Sequence, residues 1–354
     1  MGNAKFFHMT KNKFFNLLLA LFFLILPLKA SDDALLDYAK NDKPIRLISF
    51  DGGGMRGLFS LLIAEAVENA LPDNKKLFDY VDFFAGASTG GMIATGLADG
   101  HPIHEGIDLY LNNGLKIFPK LGFGSTVKNF TGPAYSHVPL DDQLKTLFGE
   151  DKKFNDIQKG VIIPTIDIEG INGKIGHVIF NSKTPCSMKA WEVCRATASA
   201  PTYFEPFYGT EGGSYIDGGI IDNRSIMSST SAILSLYKPS VRHKVMKKMR
   251  IISIGTGMVF DSIDRNVSRK MGLAGWAKEL STITIRDAMG KESEIARTIY
   301  GDRYIELNTI LPHKVELHAA DPDSLKTLKD AASAFISSAA GAAQIKKAVD
   351  LLTS

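Results

Sequence analysis

Short apolar runs that end at glycine or polar residues alternate along the chain with segments of helical apolar spacing. The short runs are typical of buried strands, and in the other segments apolar residues recur every three or four positions. Strands are predicted over residues 45–50, 82–86, 160–168, 177–180 and 249–257. Helices are predicted over residues 58–71 and 89–97, and as one helix or a helix pair over residues 323–352. This alternation predicts an α/β fold whose sheet is covered on both faces.

Residues 103–140 interrupt the alternation. They mix aromatic residues with glycine and proline, and they predict a loop-rich cap. Three apolar side chains in this cap suit an apolar cleft, an interfacial patch or ordinary core packing: Phe118, Leu121 and Phe123.

The first 30 residues are typical of a secretory signal peptide. Lys11 and Lys13 precede an apolar run over residues 14–26, and Ala30 offers a small residue before an acidic start to the body. The run of about 13 residues is short for a membrane span, which needs about 20. We therefore expect an exported protein, secreted or periplasmic. A membrane anchor is the alternative if the segment stays uncleaved.

The composition is that of a globular protein, since 45% of the 354 residues are hydrophobic and 22% are charged. The formal net charge of +3 arises in residues 1–30, which hold four lysines and no acid. The remaining chain has 37 basic and 38 acidic residues. A near-neutral body lacks the basic face of a nucleic-acid-binding protein, so we expect no nucleic-acid partner.

Cysteine and carboxylate patterns give no sign of a metal site. Cys186 and Cys194 are the two cysteines, which excludes a disulfide framework and a multi-cysteine metal centre. We expect two separate thiols, with a single disulfide as the alternative in an exported chain. No carboxylate cluster has calcium-loop spacing, so we expect neither a metal nor a cofactor.

The first candidate site is the glycine-rich turn over residues 52–57, which follows a predicted strand and precedes a predicted helix. It fits the dinucleotide fingerprint G-x-G-x-x-G, but that use needs an acidic residue about 20 positions on, at a strand end. Asp73 lies at this distance in a turn instead. The same loop suits an oxyanion hole, because glycines let backbone N–H groups approach a ligand at a helix N-terminus. A tight turn without a ligand is the remaining alternative.

The second candidate site is the turn over residues 86–90, which fits the nucleophile elbow G-x-S-x-G with Ser88 at its centre. A predicted strand leads into Ser88 and a predicted helix leaves it, which is the context that the motif requires. Small residues on both sides let the turn lift the hydroxyl above the sheet.

The third candidate site is the Asp-Gly-Gly turn that begins at Asp217. Such a turn is common in proteins and carries little information by itself. A serine hydrolase needs a base, and the usual base is a histidine that follows the acid in the chain. His243, His313 and His318 have that order, but none has a sequence setting that indicates catalysis.

Together the three turns resemble the motifs of the patatin-like phospholipases, which use a serine–aspartate dyad. The resemblance extends over about residues 44–260, with residues 261–354 as a helical part of the same domain. It implies a three-layer α/β/α fold with a mainly parallel sheet, Ser88 as nucleophile and Asp217 as proton acceptor. It also implies an oxyanion loop formed by Gly52, Gly53, Gly54 and Arg56, where Arg56 steadies the loop or meets a substrate phosphate. The other motif positions are Gly57, Gly86, Gly90, Gly218 and Gly219.

The resemblance further implies a lipid acyl hydrolase of the phospholipase A type. Its substrate is a membrane lipid or lipid aggregate, reached through transient contact with a membrane surface. Two alternatives remain open. One is a storage or toxin-like lipid-binding protein with incidental esterase activity, and the other is a nucleotide-binding oxidoreductase.

Overall fold

The structure is a computed structural model that describes residues 43–119, 132–170, 173–259 and 263–354. The predicted signal peptide over residues 1–30, and Leu121 and Phe123 of the predicted cap, lie outside the described residues.

The described residues form a mixed sheet of eight strands. The strands are β1 Ile45–Phe50, β2 Phe83–Gly86, β3 Gly160–Asp167, β4 Gly176–Asn181, β5 Phe207–Tyr208, β6 Ser214–Asp217, β7 Met249–Ile254 and β8 Tyr304–Leu307. Strands β3, β2, β1, β7 and β8 are adjacent in that order and parallel. Strands β4, β5 and β6 add antiparallel pairings next to β3. The prediction of a mainly parallel α/β sheet is confirmed.

Strands β2 and β6 share one edge of β3. Ile162 of β3 pairs with Ala85 of β2 on one side and with β4 on the other, so β2 and β4 lie on opposite sides. Thr165 pairs with β4 and with Asp217 of β6, which places β6 on the side of β2. Strand β2 pairs with residues 160–162 of β3, and β6 pairs with residues 165–167 in the opposite direction. The chain that leaves β2 and the C-terminal end of β6 therefore meet beside β3.

Helices cover both faces of the sheet. They are α1 Gly57–Asn69, α2 Leu77–Tyr80, α3 Thr89–Ala98, α4 Ile103–Ile117, α5 Val138–Phe148, α6 Ala190–Thr197, α7 Gly219–Asp222, α8 Ile226–Ser235, α9 Arg242–Lys248, α10 Arg265–Ser268, α11 Leu273–Tyr300, α12 Pro322–Ser337 and α13 Ala339–Thr353. Strand residues alternate between the faces. Ile48 and Phe50 pack in the core that holds α1, α3 and α12, whereas Ile45 and Leu47 pack against α8, α9 and the end of α11. None of the described helices combines the length and the apolar character needed to cross a bilayer.

The structure corrects the prediction of a loop-rich cap over residues 103–140 in its first part, since residues 120–131 lie outside the described residues. Helix α4 occupies Ile103–Ile117, and α5 begins at Val138. Glycines at positions 106 and 114 concealed α4, but they allow close packing: a Cβ on Gly114 would lie 2.4 Å from the Met55 side chain. Phe118 packs edge-on against Tyr135, with ring centroids 5.2 Å apart, as part of the core.

The sequence patterns missed a strand after residue 260. Strand β8, which extends the sheet beside β7, was not predicted, since the family resemblance implied a helical part such as α11 there. The helix pair predicted over residues 323–352 is confirmed as α12 and α13.

Candidate active site

Ser88 lies on a strained turn between β2 and α3. Its φ of 55° and ψ of −125° are unusual for a residue with a side chain. The Ser88 N–H donates to Thr197 Oγ1 at 2.9 Å, and the Thr197 hydroxyl donates to the Pro164 carbonyl at 2.7 Å. Thr197 therefore fastens the turn to β3 and stabilises the strained backbone.

The glycines on both sides of Ser88 are required by close backbone contacts. A Cβ on Gly90 would lie 2.2 Å from the carbonyl oxygen of Phe50, and one on Gly86 would lie 2.5 Å from the backbone of Gly90. The nucleophile elbow predicted from the sequence is thus the geometry that the structure shows.

The glycine loop after β1 contacts the C-terminal segment around Leu317. Gly54 has a φ of +55°, and a Cβ there would lie 2.2 Å from the carbonyl oxygen of Leu317. The same Leu317 carbonyl accepts a hydrogen bond from the Met55 N–H at 2.8 Å. The loop is therefore fixed by a hydrogen bond to a segment more than 250 residues away in the chain.

The loop leaves two backbone donors available. The Gly52 N–H donates to the Asn223 carbonyl at 3.1 Å, so the expectation that Gly52 serves as an oxyanion donor is corrected. The N–H groups of Gly53 and Gly54 have no acceptor within the part of the chain that the structure describes. These two groups lie at the start of the turn that leads into α1, where developing negative charge is favoured.

Arg56 is half-buried beside this loop. Burial lowers the pKa of its guanidinium, and the carboxylate of Glu316 opposes that effect. Its Nε has no hydrogen-bond partner among the described residues. Arg56 thus keeps a cation at the edge of the loop, next to the segment that contains Leu317.

Asp217 ends β6 as a buried carboxyl group beside Ser88. Burial raises the pKa of Asp217 to about 6, and hydrogen bonding from the Ser88 hydroxyl and the Gly219 N–H moderates that rise. The Gly219 N–H donates to Asp217 Oδ1 at 2.7 Å. A Cβ on Gly218 would lie 2.2 Å from the Pro164 carbonyl oxygen, so only glycine lets the turn approach β3. A carboxylate with a pKa near 6 is ionised at neutral pH and basic enough to accept a proton.

A buried ion pair ties the glycine loop to the turn that follows Asp217. Arg224 donates from Nε to Asp51 Oδ1 at 3.1 Å and from Nη2 to Asp51 Oδ2 at 2.7 Å. Its Nη1 lies 2.7 Å from Glu306 of β8 and also contacts the Ser293 hydroxyl of α11. Burial alone lowers the pKa of Arg224, but the carboxylates of Asp51 and Glu306 outweigh it and hold that pKa above its ordinary value.

The three histidines that follow Asp217 lie in different places. His243 is exposed on α9, which leads into the amino end of β7, whereas Ser88 lies beyond the carboxyl end of β2. The ring of His313 contacts the Thr327 hydroxyl of α12 at 3.0 Å. His318 lies near the glycine loop, with its ring 5.7 Å from that of Tyr203.

The remaining candidate sites are a metal centre and the two cysteines. Within the described residues, no three His, Cys, Asp or Glu side chains are grouped so that they could hold a metal ion. Cys186 and Cys194 are both free thiols, and burial raises the pKa of Cys194 to about 12.

Sequence patterns missed the residues that support the site. Asn223 and Arg224 belong to none of the sequence motifs, and their roles depend on partners more than 170 residues away. The one local signal was the position of Asn223 and Arg224, a few residues after the Asp-Gly-Gly turn.

An elbow serine and a buried carboxyl group that is hydrogen-bonded to it lie beside a loop with two backbone N–H groups that have no acceptor among the described residues. Residues 48–228, half of the chain, match the sequence profile of the patatin-like phospholipases, and the match includes all three turns. The chain belongs to this family. It is a carboxylic ester hydrolase of the phospholipase type, which acts on lipid acyl esters.

Individual relatives agree with the family assignment. A protein of Escherichia coli (strain TW11681) named cGAMP-activated phospholipase is 28% identical, with 82% of this chain and 89% of that protein covered. A protein of the same name from Vibrio cholerae serotype O1 is 26% identical, with 82% and 90% covered. Among solved structures, VipD from Legionella pneumophila matches with a TM-score of 0.46 and 12% identity, over 88% of this chain and 67% of that chain.

We expect Arg224→Ala to destabilise the protein by about 3–5 kcal/mol, because it leaves Asp51 buried without a cation. Urea unfolding at pH 7 measures the change. Arg297→Ala is the matched control, since Arg297 is an exposed partner of the same Glu306 at 2.7 Å. Its loss should cost less than about 1 kcal/mol. Equal losses in the two variants would show that the buried pair does not stabilise the fold.

Proposed function

We propose that this chain hydrolyses fatty-acyl esters of membrane lipids with Ser88 as nucleophile and Asp217 as its base. The observation that carries this proposal is the position of Asp217, whose buried carboxylate lies beside the Ser88 hydroxyl on the shared edge of β3. No histidine is needed in this arrangement, because burial supplies the basicity that an ordinary aspartate lacks.

In the acylation step, Asp217 accepts the hydroxyl proton as Ser88 Oγ bonds to the ester carbonyl carbon. The carbonyl oxygen becomes an oxyanion, which the N–H groups of Gly53 and Gly54 bind. The tetrahedral intermediate then collapses, the bond to the alcohol oxygen breaks, and Asp217 returns its proton to that oxygen. The products are an acyl-enzyme and a free lyso-lipid.

In the deacylation step, Asp217 accepts a proton from water as the water oxygen attacks the acyl carbon. The same two N–H groups bind the second oxyanion. Collapse releases the fatty acid, and the proton on Asp217 passes to Ser88 Oγ. The enzyme is then in its starting state.

Contact with a lipid surface is supported by apolar side chains beside the turn that carries Asp217. Ile221 of α7 is 50% exposed, and Ile175 just before β4 is 72% exposed. Asp222 Oδ2 and His177 Nε2 lie 3.3 Å apart, so the segments that carry the two isoleucines are adjacent. Insertion of these side chains into a membrane would bring the acyl ester to Ser88.

We expect Ser88→Ala to abolish ester hydrolysis and covalent labelling by a fluorophosphonate probe, because both need the Ser88 oxygen. Released fatty acids and lyso-lipids are identified by mass spectrometry after incubation with vesicles of mixed phospholipids. Each reaction is run with and without cGAMP, because two relatives are named cGAMP-activated phospholipases. Ser235→Ala, at an exposed serine of α8, is the control and should keep full activity. Labelling that persists in Ser88→Ala would exclude Ser88 as the nucleophile.

We expect Asp217→Asn to reduce kcat by at least about 100-fold, because an amide cannot accept the proton. In the wild type, kcat/KM for a soluble ester should fall as the pH drops below about 6, where Asp217 becomes protonated. The folded-state pKa is raised, so ionised Asp217 opposes folding above that pH. The Asn variant should therefore unfold at pH 8 at the same or a higher temperature.

A histidine base would give a different pH dependence of kcat/KM after mutation. His318→Ala should leave the pH step near 6 in place if Asp217 is the base. A folded His318→Ala variant that loses this step, together with an active Asp217→Asn variant, would assign the proton transfer to His318.

We also propose that residues 1–30 direct export of the protein. The support is the basic start, the apolar run over residues 14–26 and the small residue Ala30. We expect the full chain, expressed in a bacterium with a C-terminal tag, to yield a mature form that begins at Ser31 outside the cytoplasm. Leu19→Arg should block this processing. An uncleaved chain in the membrane fraction would favour the anchor instead.

A further inference from the structure

Asn223 connects the glycine loop to the turn that carries Asp217. Its backbone carbonyl accepts the Gly52 N–H at 3.1 Å, and its side-chain Nδ2 donates to the Gly52 carbonyl at 3.2 Å. Asn223 thus binds both polar groups of Gly52. It follows α7 directly, six residues after Asp217.

The Asn223 side chain fills the space between Gly52 of the glycine loop and Gly219 of the turn that follows Asp217. A Cβ on Gly52 would lie 2.4 Å from Asn223 Oδ1, and one on Gly219 would lie 2.7 Å from the same atom. Gly219 in turn donates its N–H to Asp217. On its outer side, Asn223 Nδ2 lies 3.1 Å from Met289 Sδ of α11. The carboxamide is therefore held by Gly52 on one side and by Met289 on the other.

The bond to the Gly52 carbonyl also determines the direction of the Gly53 N–H. These two groups belong to one planar trans peptide unit, so the N–H points opposite to the carbonyl. The Thr256 hydroxyl donates to the same carbonyl at 3.4 Å, and the Thr256 side chain packs against Gly53. Two donors on one side of this peptide unit hold the Gly53 N–H toward the other side, where no described residue accepts it.

We propose that Asn223 is a positioning residue that aims the Gly53 N–H at the oxyanion and fixes it relative to Asp217. The inference depends on the proposed Ser88–Asp217 mechanism. Glycine at position 53 has many accessible conformations, so the loop needs an outside constraint to keep its donor directed. Pre-directed donors stabilise an oxyanion far more than donors that must reorient during the reaction.

The test compares Asn223→Ala with Asn155→Ala. Asn155 is a matched control because its Nδ2, like that of Asn223, donates to backbone carbonyl groups of distant residues, here Ser182 and Thr184, which lie outside the site. For a soluble p-nitrophenyl ester, we expect Asn223→Ala to lower kcat about 10- to 100-fold while KM changes less than about 3-fold. Asn155→Ala should lower the unfolding temperature to a similar extent and keep the wild-type kcat.

A tetrahedral inhibitor separates positioning from general damage. An alkyl trifluoromethyl ketone forms an adduct with Ser88 that carries the oxyanion, so its inhibition constant should rise by the same factor as kcat falls. Asn223→Asp keeps the shape but lacks the donor at neutral pH, and it should not restore kcat. Thr256→Val removes the second donor, and its effect should be non-additive with that of Asn223→Ala because both act on one carbonyl.

The outcomes distinguish a failure of the positioning role of Asn223 from a failure of the proposed Ser88–Asp217 mechanism. If Ser88→Ala is inactive while Asn223→Ala keeps its kcat and its affinity for the ketone, the positioning role is wrong and the dyad stands. An equal loss of kcat in Asn155→Ala would likewise reduce Asn223 to a structural residue. If Ser88→Ala remains active, the proposed mechanism itself fails.

Discussion

The buried ion pair between Asp51 and Arg224 is the constraint on which the rest of the site depends. Asp51 is fully buried at the end of β1, and Arg224 follows the turn that carries Asp217. A carboxylate in that position is tolerated only if a cation stays with it, so the two segments must fold together. The glycine loop and Asp217, which are far apart in the chain, are thereby held near each other.

The sheet supplies the second half of the geometry. Strand β2 ends early on one edge of β3, and β6 enters from the opposite direction on the same edge. The chain leaving β2 makes the strained turn at Ser88, and β6 ends in Asp217. An antiparallel strand within a mainly parallel sheet thus brings the Ser88 hydroxyl and the Asp217 carboxylate next to each other. Thr197 and Pro164 hold that junction through hydrogen bonds to backbone groups.

Burial raises the pKa of both aspartates, but the partners of the two carboxyl groups differ. Asp51 has a two-point partner in Arg224, and its charge serves the structure. Among the described residues, Asp217 is hydrogen-bonded by the Ser88 hydroxyl and the Gly219 N–H, and burial raises its pKa to about 6. The two buried aspartates thus differ in whether a cation faces the carboxylate, since Arg224 lowers the pKa of Asp51 against the effect of burial.

The sequence by itself determined the strands that end in glycine, the elbow at Ser88 and the three turns, because those features depend on local backbone geometry and short-range periodicity. It also indicated the patatin-like family, which the profile match confirms. Only the tertiary structure decided that Gly52 is bonded to Asn223, that α4 replaces the predicted cap, and that Arg224 neutralises Asp51. Those outcomes depend on contacts between distant segments and on burial, and no local pattern of residues encodes which buried charge receives a partner.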